Sequence, residues 1–137
     1  MKVAVSACLL GERCKYDGGT NLDPELIGFL RDKEYFTFCP EREGGLPTPR
    51  PPVELRDGRA VNREGEDVTE QFKKGAELVL EKFRSENPDL AIMKSRSPSC
   101  GPNGIYDGSF TGKLIPGCGY TAKILKENGY KLLPSKK

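Results

Sequence analysis

Short apolar segments of strand character alternate with amphipathic helical segments from one end of the chain to the other, and this alternation limits the fold more than any other feature. Residues 3–8 form a β-rich run that Cys8 closes, with Gly11 just beyond. Asp23 and Pro24 have the form of a helix start, an N-cap with proline at the first helical position. Leu26, Ile27, Phe29 and Leu30 then predict an apolar helical face to about Lys33. Residues 35–39 predict a second strand, stopped by Pro40. Residues 67–87 give the clearest helix, with Phe72, Ala76, Val79 and Phe83 near helical spacing and Asn87-Pro88 at its end. Residues 90–93 predict a third strand. A helix capped by Thr121 is expected to run to Asn128, with Gly129 at C′, before a last strand at residues 131–133. Such an order argues for an α/β layered fold with a mostly parallel sheet. The expectation is a single Rossmann-like layered domain over residues 1–137, with helices on the faces of the sheet, since this length supports one core.

Two loops interrupt the pattern. Residues 41–66 are rich in Gly, Pro and Arg, long for a structureless connection, and such loops are usually functional or disordered. Within them, residues 53–55 and 59–61 around Asp57-Gly58 predict a small hairpin. Residues 96–102 form a second turn-rich loop, followed by an excursion at residues 105–108.

Composition removes several functions. There is no histidine, which excludes a Ser-His-Asp triad, a Cys-His pair and every His-ligated zinc site. Acid–base work falls to carboxylates, Lys, Tyr, Cys or water. The net charge is only +2, without a basic block, so no nucleic-acid partner is expected. No segment has the length of a membrane span. Residues 3–10 lack a small-residue cleavage site and read as a strand rather than a secretory leader. Five cysteines in a chain expected to be cytoplasmic point to metal binding or catalysis rather than to disulfides.

Those cysteines carry the central inference. Cys8 closes the first strand, Cys39 closes the second, and Cys100 lies in the loop after the third. In an open parallel α/β sheet the carboxyl ends of the strands share one edge, and ligands bind outside it. Three thiols far apart in sequence should therefore meet at one site. Cys14 lies in the loop after the first strand, where it could join them. Cys118, between Gly117 and Gly119, has no strand-end position and is left out. The spacing is Cys-x5-Cys followed by gaps of 24 and 60 residues, without the close pairs that structural zinc favours. An iron–sulfur cluster takes thiolates and tolerates wide spacing on a scaffold.

Flanking residues add chemistry. Glu41, two residues beyond Cys39, is placed to take a proton from water. Ser97 and Ser99, bracketing Pro98 before Cys100, could stabilise an oxyanion or hold a substrate carbonyl, although serine beside proline is also ordinary turn chemistry. Lys94, Arg96 and Arg50 either bind an anion or are solvated. Gly44-Gly45 and Gly101 would permit close backbone approach.

Residues 6–11 (Ser-Ala-Cys-Leu-Leu-Gly), 14–18 (Cys-Lys-Tyr-Asp-Gly), 39–41 (Cys-Pro-Glu), 44–46 with Pro49-Arg50, and 94–101 (Lys-Ser-Arg-Ser-Pro-Ser-Cys-Gly) resemble a small family that includes the iron–sulfur-dependent 2-thiouracil desulfidases. The likeness extends over essentially the whole chain. It implies a [4Fe-4S] cluster on three cysteines, Cys8, Cys39 and Cys100, with one iron lacking a protein ligand. It also implies Glu41 and Ser99 or Ser97 as catalytic residues. Cys14 matches a family position; Cys118 does not. The resulting expectation is a non-redox desulfidase that hydrolyses the thiocarbonyl of a small thiolated pyrimidine or similar heterocycle. The alternative is a non-catalytic iron–sulfur or zinc-binding module, a sensor or sulfur carrier. A thiol redox protein using Cys8 and Cys14 ranks below both, since Cys-x-x-Cys is absent.

Overall fold

A computed structural model describes residues 1–136. Its main sheet has four parallel strands: β1 (Lys2–Ser6), β2 (Glu34–Phe38), β5 (Leu90–Met93) and β8 (Leu132–Pro134). Their order across the sheet is β2-β1-β5-β8. The chain leaves β1 towards one edge and returns on its other side, so β1 and β5 meet where the winding reverses. This is where an open α/β sheet leaves a crevice beyond its strand ends.

Burial explains the central place of β1. Val3, Ala4 and Val5 are all fully buried, the unbroken apolar signature of a strand covered on both faces. Val3 and Val5 pack with Leu9, Leu26 and Leu30, which brings in helix α1 (Pro24–Leu30). Ala4 points the other way, into a larger cluster with Phe38, Val79, Phe83, Met93, Ala122 and Leu125. That face carries α3 (Thr69–Glu86) and α4 (Tyr120–Glu127). Phe83 is its hub, with Phe36, Phe38 and Tyr130 edge-on at 5.6, 5.3 and 5.1 Å.

Helix starts follow local chemistry. The Asp23 carboxylate accepts from the Glu25 and Leu26 amides at 3.1 and 3.4 Å, as expected of an N-cap before Pro24. Asn87 ends α3 in the left-handed conformation ahead of Pro88. The expected Thr121 cap is corrected: Gly119 is the N-cap of α4, and Thr121 is a fully buried residue of its first turn. Tertiary contacts move this boundary, because the first amides of α4 bind the loop before Gly101 rather than a side-chain cap. α1 stops at Leu30, short of Lys33.

The long 41–66 loop is more ordered than expected. A short helix, α2 (Pro40–Glu43), starts at Pro40. The hairpin is present as β3 (Val53–Arg56) and β4 (Arg59–Asn62), with Asp57 and Gly58 at φ +50° and +79°. The 105–108 excursion is one arm of a second hairpin, β6 (Gly104–Tyr106) with β7 (Leu114–Pro116), whose return strand the sequence did not signal. Among the described residues, no helix is long and apolar enough to cross a membrane.

Candidate active site

The carboxyl ends of β1, β2 and β5 open into a cavity of about 500 Å³. Its lining includes Cys8, Cys14, Cys39 and Cys100, with Glu41, Ser97 and Ser99 among them. Every residue singled out from the sequence as a ligand or catalyst thus reaches one space. Cys118 lies elsewhere, its thiol donating to the Pro102 carbonyl at 3.2 Å and accepting from Lys126 Nζ at 3.4 Å.

Each thiol is placed by a separate local device. Cys8 lies in a single 3₁₀ turn, Ala7–Leu10, which follows β1 and ends at Gly11 with φ +94°. Asn21 Nδ2 donates to its sulfur at 3.3 Å. Cys39 is the N-cap of α2, and its amide donates to Glu43 Oε2 at 3.0 Å. Cys100 ends a tight loop in which Ser97 Oγ accepts the Ser99 and Cys100 amides at 3.2 and 3.0 Å. The amino end of α4 holds the same loop from outside: the Tyr120 amide donates to the Pro98 carbonyl, and the Thr121 and Ala122 amides donate to that of Ser99.

Glu41 reaches the cavity because α2 lies directly on α3. A Cβ on Gly75 would fall 1.9 Å from the Pro40 carbonyl oxygen, and one on Gly44 would fall 2.0 Å from that of Gln71. Only glycine permits this backbone-on-backbone contact. Gly101 has a similar role beside the Ser97 and Gly104 carbonyls, each 2.9 Å from where its Cβ would be.

Glu41 is buried, with its side chain only 12% exposed. Its Oε1 accepts from Arg50 Nε at 3.1 Å, and its Oε2 accepts from Ser99 Oγ at 2.9 Å. Arg50 is neither solvated nor open to an outside anion. It also donates to the Cys14, Pro47 and Thr48 oxygens, at 2.8, 3.2 and 3.0 Å. Ser97 and Ser99 lie 3.1 Å apart, oxygen to oxygen. Ser97 already accepts two amides and Ser99 donates to the carboxylate. The consistent direction of the chain is therefore Ser97 O–H to Ser99 Oγ, and Ser99 O–H to Glu41.

The thiols are unequal. A hydrogen bond with Cys14 lowers Cys8 to about 7 against the opposing effect of burial. Hydrogen bonding with Cys14 is also the main influence lowering Cys39. Cys14 itself is raised, first by its hydrogen bond with Cys39 and then by that with Cys8. Cys14 and Cys39 are buried together, with the half-buried Cys8 packed against them. Burial raises Cys100, opposed by a hydrogen bond from Ser6, whose oxygen accepts the Lys94 amide at 3.0 Å. Burial also lowers Lys94. Ser6, Asn21 and the clamp made by Arg50 were not assigned from the sequence. Ser6 and Asn21 each lie within a residue or two of a strand end or turn, which was the available signal.

The donor set suits a soft, multinuclear centre. It offers thiols and no imidazole, spread round a cavity. Among the described residues, no three Cys, Asp or Glu side chains are grouped closely enough to cage a single ion.

The family model for 2-thiouracil desulfurase matches residues 3–137. The chain belongs to this family. Among solved structures, it resembles the [4Fe-4S]-dependent thiouracil desulfidase TudS, at 40% identity and a TM-score of 0.91 over 98% of this chain and 90% of that one. Among curated proteins it resembles the uncharacterized protein YbbK of Bacillus subtilis (strain 168). That match is 38% identical and covers 96% of this chain and 93% of the relative. The α/β desulfurase fold with its parallel four-stranded sheet is therefore shared with a close structural neighbour.

Proposed function

We propose that residues 1–137 form one catalytic unit, a non-redox desulfidase that converts the thiocarbonyl of a small thiolated pyrimidine or similar heterocycle to a carbonyl. Cys8, Cys39 and Cys100 are the ligands of a [4Fe-4S] cluster in this reading. The observation that carries it is the meeting of three thiols from separate strand ends with the hydrogen-bonded Ser97–Ser99–Glu41–Arg50 chain in one cavity. The TudS likeness supports the cofactor and the reaction class. When bound, the cluster supplies an iron without a protein ligand, a soft Lewis acid suited to a sulfur atom.

The chain's own residues supply the proton chemistry. Glu41 accepts a proton from water at its carboxylate, so that the water oxygen can attack the thiocarbonyl carbon. Arg50 keeps one carboxylate oxygen fixed, leaving the other for exchange. Ser99, which donates to Oε2, passes a proton between Glu41 and the reacting heterocycle, and Ser97 completes the line behind it. In this reading the serine pair acts as a relay beside the oxyanion-stabilising role expected of it from the sequence. Overall one water is consumed, a carbonyl oxygen replaces the sulfur, and sulfide leaves with no net electron transfer. Without histidine, this carboxylate–hydroxyl line is a proton path that the cavity offers. The unit takes a small molecule rather than nucleic acid or membrane, and it acts in the cytoplasm, where cysteines stay reduced and none of its five is in a disulfide.

Anaerobic incubation with 2-thiouracil, following uracil and sulfide, tests the proposal. Equal release of both supports it. A protein that carries a cluster yet leaves thiolated pyrimidines untouched favours the non-catalytic module.

A further inference from the structure

The wall of the cavity away from the sheet comes from the two hairpins. The 107–113 loop joins β6 to β7 and is pinned to β3 at several points. Glu54 Oε1 accepts the Gly108 and Phe110 amides at 3.0 and 3.1 Å. Arg56 donates through Nε and Nη2 to the Gly108 carbonyl at 3.1 and 2.6 Å. Gly108 lies so close to β3 that a Cβ there would fall 2.9 Å from the Leu55 carbonyl. These contacts hold Phe110 at φ +60°, a backbone conformation that favours glycine. Its ring borders the cavity, as does Arg63, whose guanidinium lies 5.8 Å from the ring centroid. A large aromatic side chain in a glycine-type conformation, on a loop fastened to β3, is not explained by packing, since Phe110 belongs to none of the buried clusters.

We propose that Phe110 is a specificity-determining residue whose ring, steadied by Arg63, stacks against the flat heterocycle of the substrate. The inference rests on the desulfidase reading for the identity of that heterocycle. It concerns how the ring is held and not how sulfur is removed. Glu54 and Arg56 are positioning residues, because they act on Phe110 through the loop backbone.

The test uses anaerobically isolated protein and two readouts: calorimetric binding of uracil, which does not react, and the KM and kcat for 2-thiouracil. Phe110→Gly relieves the backbone and should keep the melting temperature within a few degrees of the parent. It should nonetheless weaken uracil binding and raise KM by about tenfold, the scale of one lost stacking contact, while kcat changes little. Phe110→Leu keeps apolar area without a π face and should fall between Phe110→Gly and the parent. Phe110→Tyr should bind as the parent does. Parent-like uracil binding in Phe110→Gly, or a loss confined to kcat, overturns the proposal. If the parent binds uracil in a Phe110-dependent way yet never releases sulfide, the desulfidase reading fails and the stacking wall stands. If sulfide is released equally by the parent and Phe110→Gly with unchanged KM, the wall fails and the desulfidase reading stands.

Discussion

The two sides of the cavity are built on different principles. On the sheet side, thiols are gathered by topology: β1, β2 and β5 run parallel, so residues just beyond them share an edge however far apart they lie in sequence. On the hairpin side, position depends on individual side chains, with Glu54 and Arg56 fastening a loop to a neighbouring strand. The second side is anchored through Val53 and Ala60, which pack with Phe72 of α3, while its 107–113 loop lies outside that cluster. If the proposed roles hold, the groups assigned to chemistry and those assigned to ring recognition belong to different elements, and each set can be changed without the other.

The division can be broken by mutation, and the sheet side should give the largest effects. Cys39→Ala removes a proposed ligand, so iron bound per chain and turnover should both collapse while the melting curve stays cooperative; elemental analysis and activity on the same sample check this. Glu41→Gln separates chemistry from cluster holding: turnover should fall by roughly 10²–10⁴-fold, as for a lost general base, with visible absorbance unchanged. Arg50→Met leaves the Glu41 charge buried without its partner, where the side chains are only 5% and 12% exposed. Denaturant melts should show a loss of about 3–5 kcal/mol, and Arg50→Lys should recover part of it. Gly75→Ala forces the Pro40 carbonyl away and should shift α2 with its glutamate, lowering both the melting temperature and kcat. Cys118→Ser, outside the cavity, should change neither iron content nor turnover, and it sets the floor of the comparison.

The same division governs how much could be read from sequence. Strand and helix order, the parallel sheet, the first hairpin and the convergence of Cys8, Cys39 and Cys100 were legible because they depend on periodicity and topology. Glu41, Ser97 and Ser99 were legible as neighbours of those cysteines. The helix at Pro40 was hidden because it is four residues long and is held by the Gly44–Gly75 contact with α3, which only the tertiary structure reveals. The Thr121 cap was misplaced because the first amides of α4 serve the Cys100 loop. Arg50 gave no signal of being buried, since its partners come from residues 14, 41, 47 and 48. Phe110 was missed for a similar reason: a left-handed phenylalanine leaves no mark in hydrophobic pattern.

The claim beneath all of this is that cysteines from three strand ends grip one iron–sulfur centre. Iron and acid-labile sulfide should be counted on the anaerobically isolated parent and on its Cys8→Ser, Cys39→Ser and Cys100→Ser variants. The account predicts about four of each per chain in the parent, as befits a four-iron cluster, and loss of both in every variant. Zinc in place of iron, or a cluster that survives any of the three replacements, would contradict it.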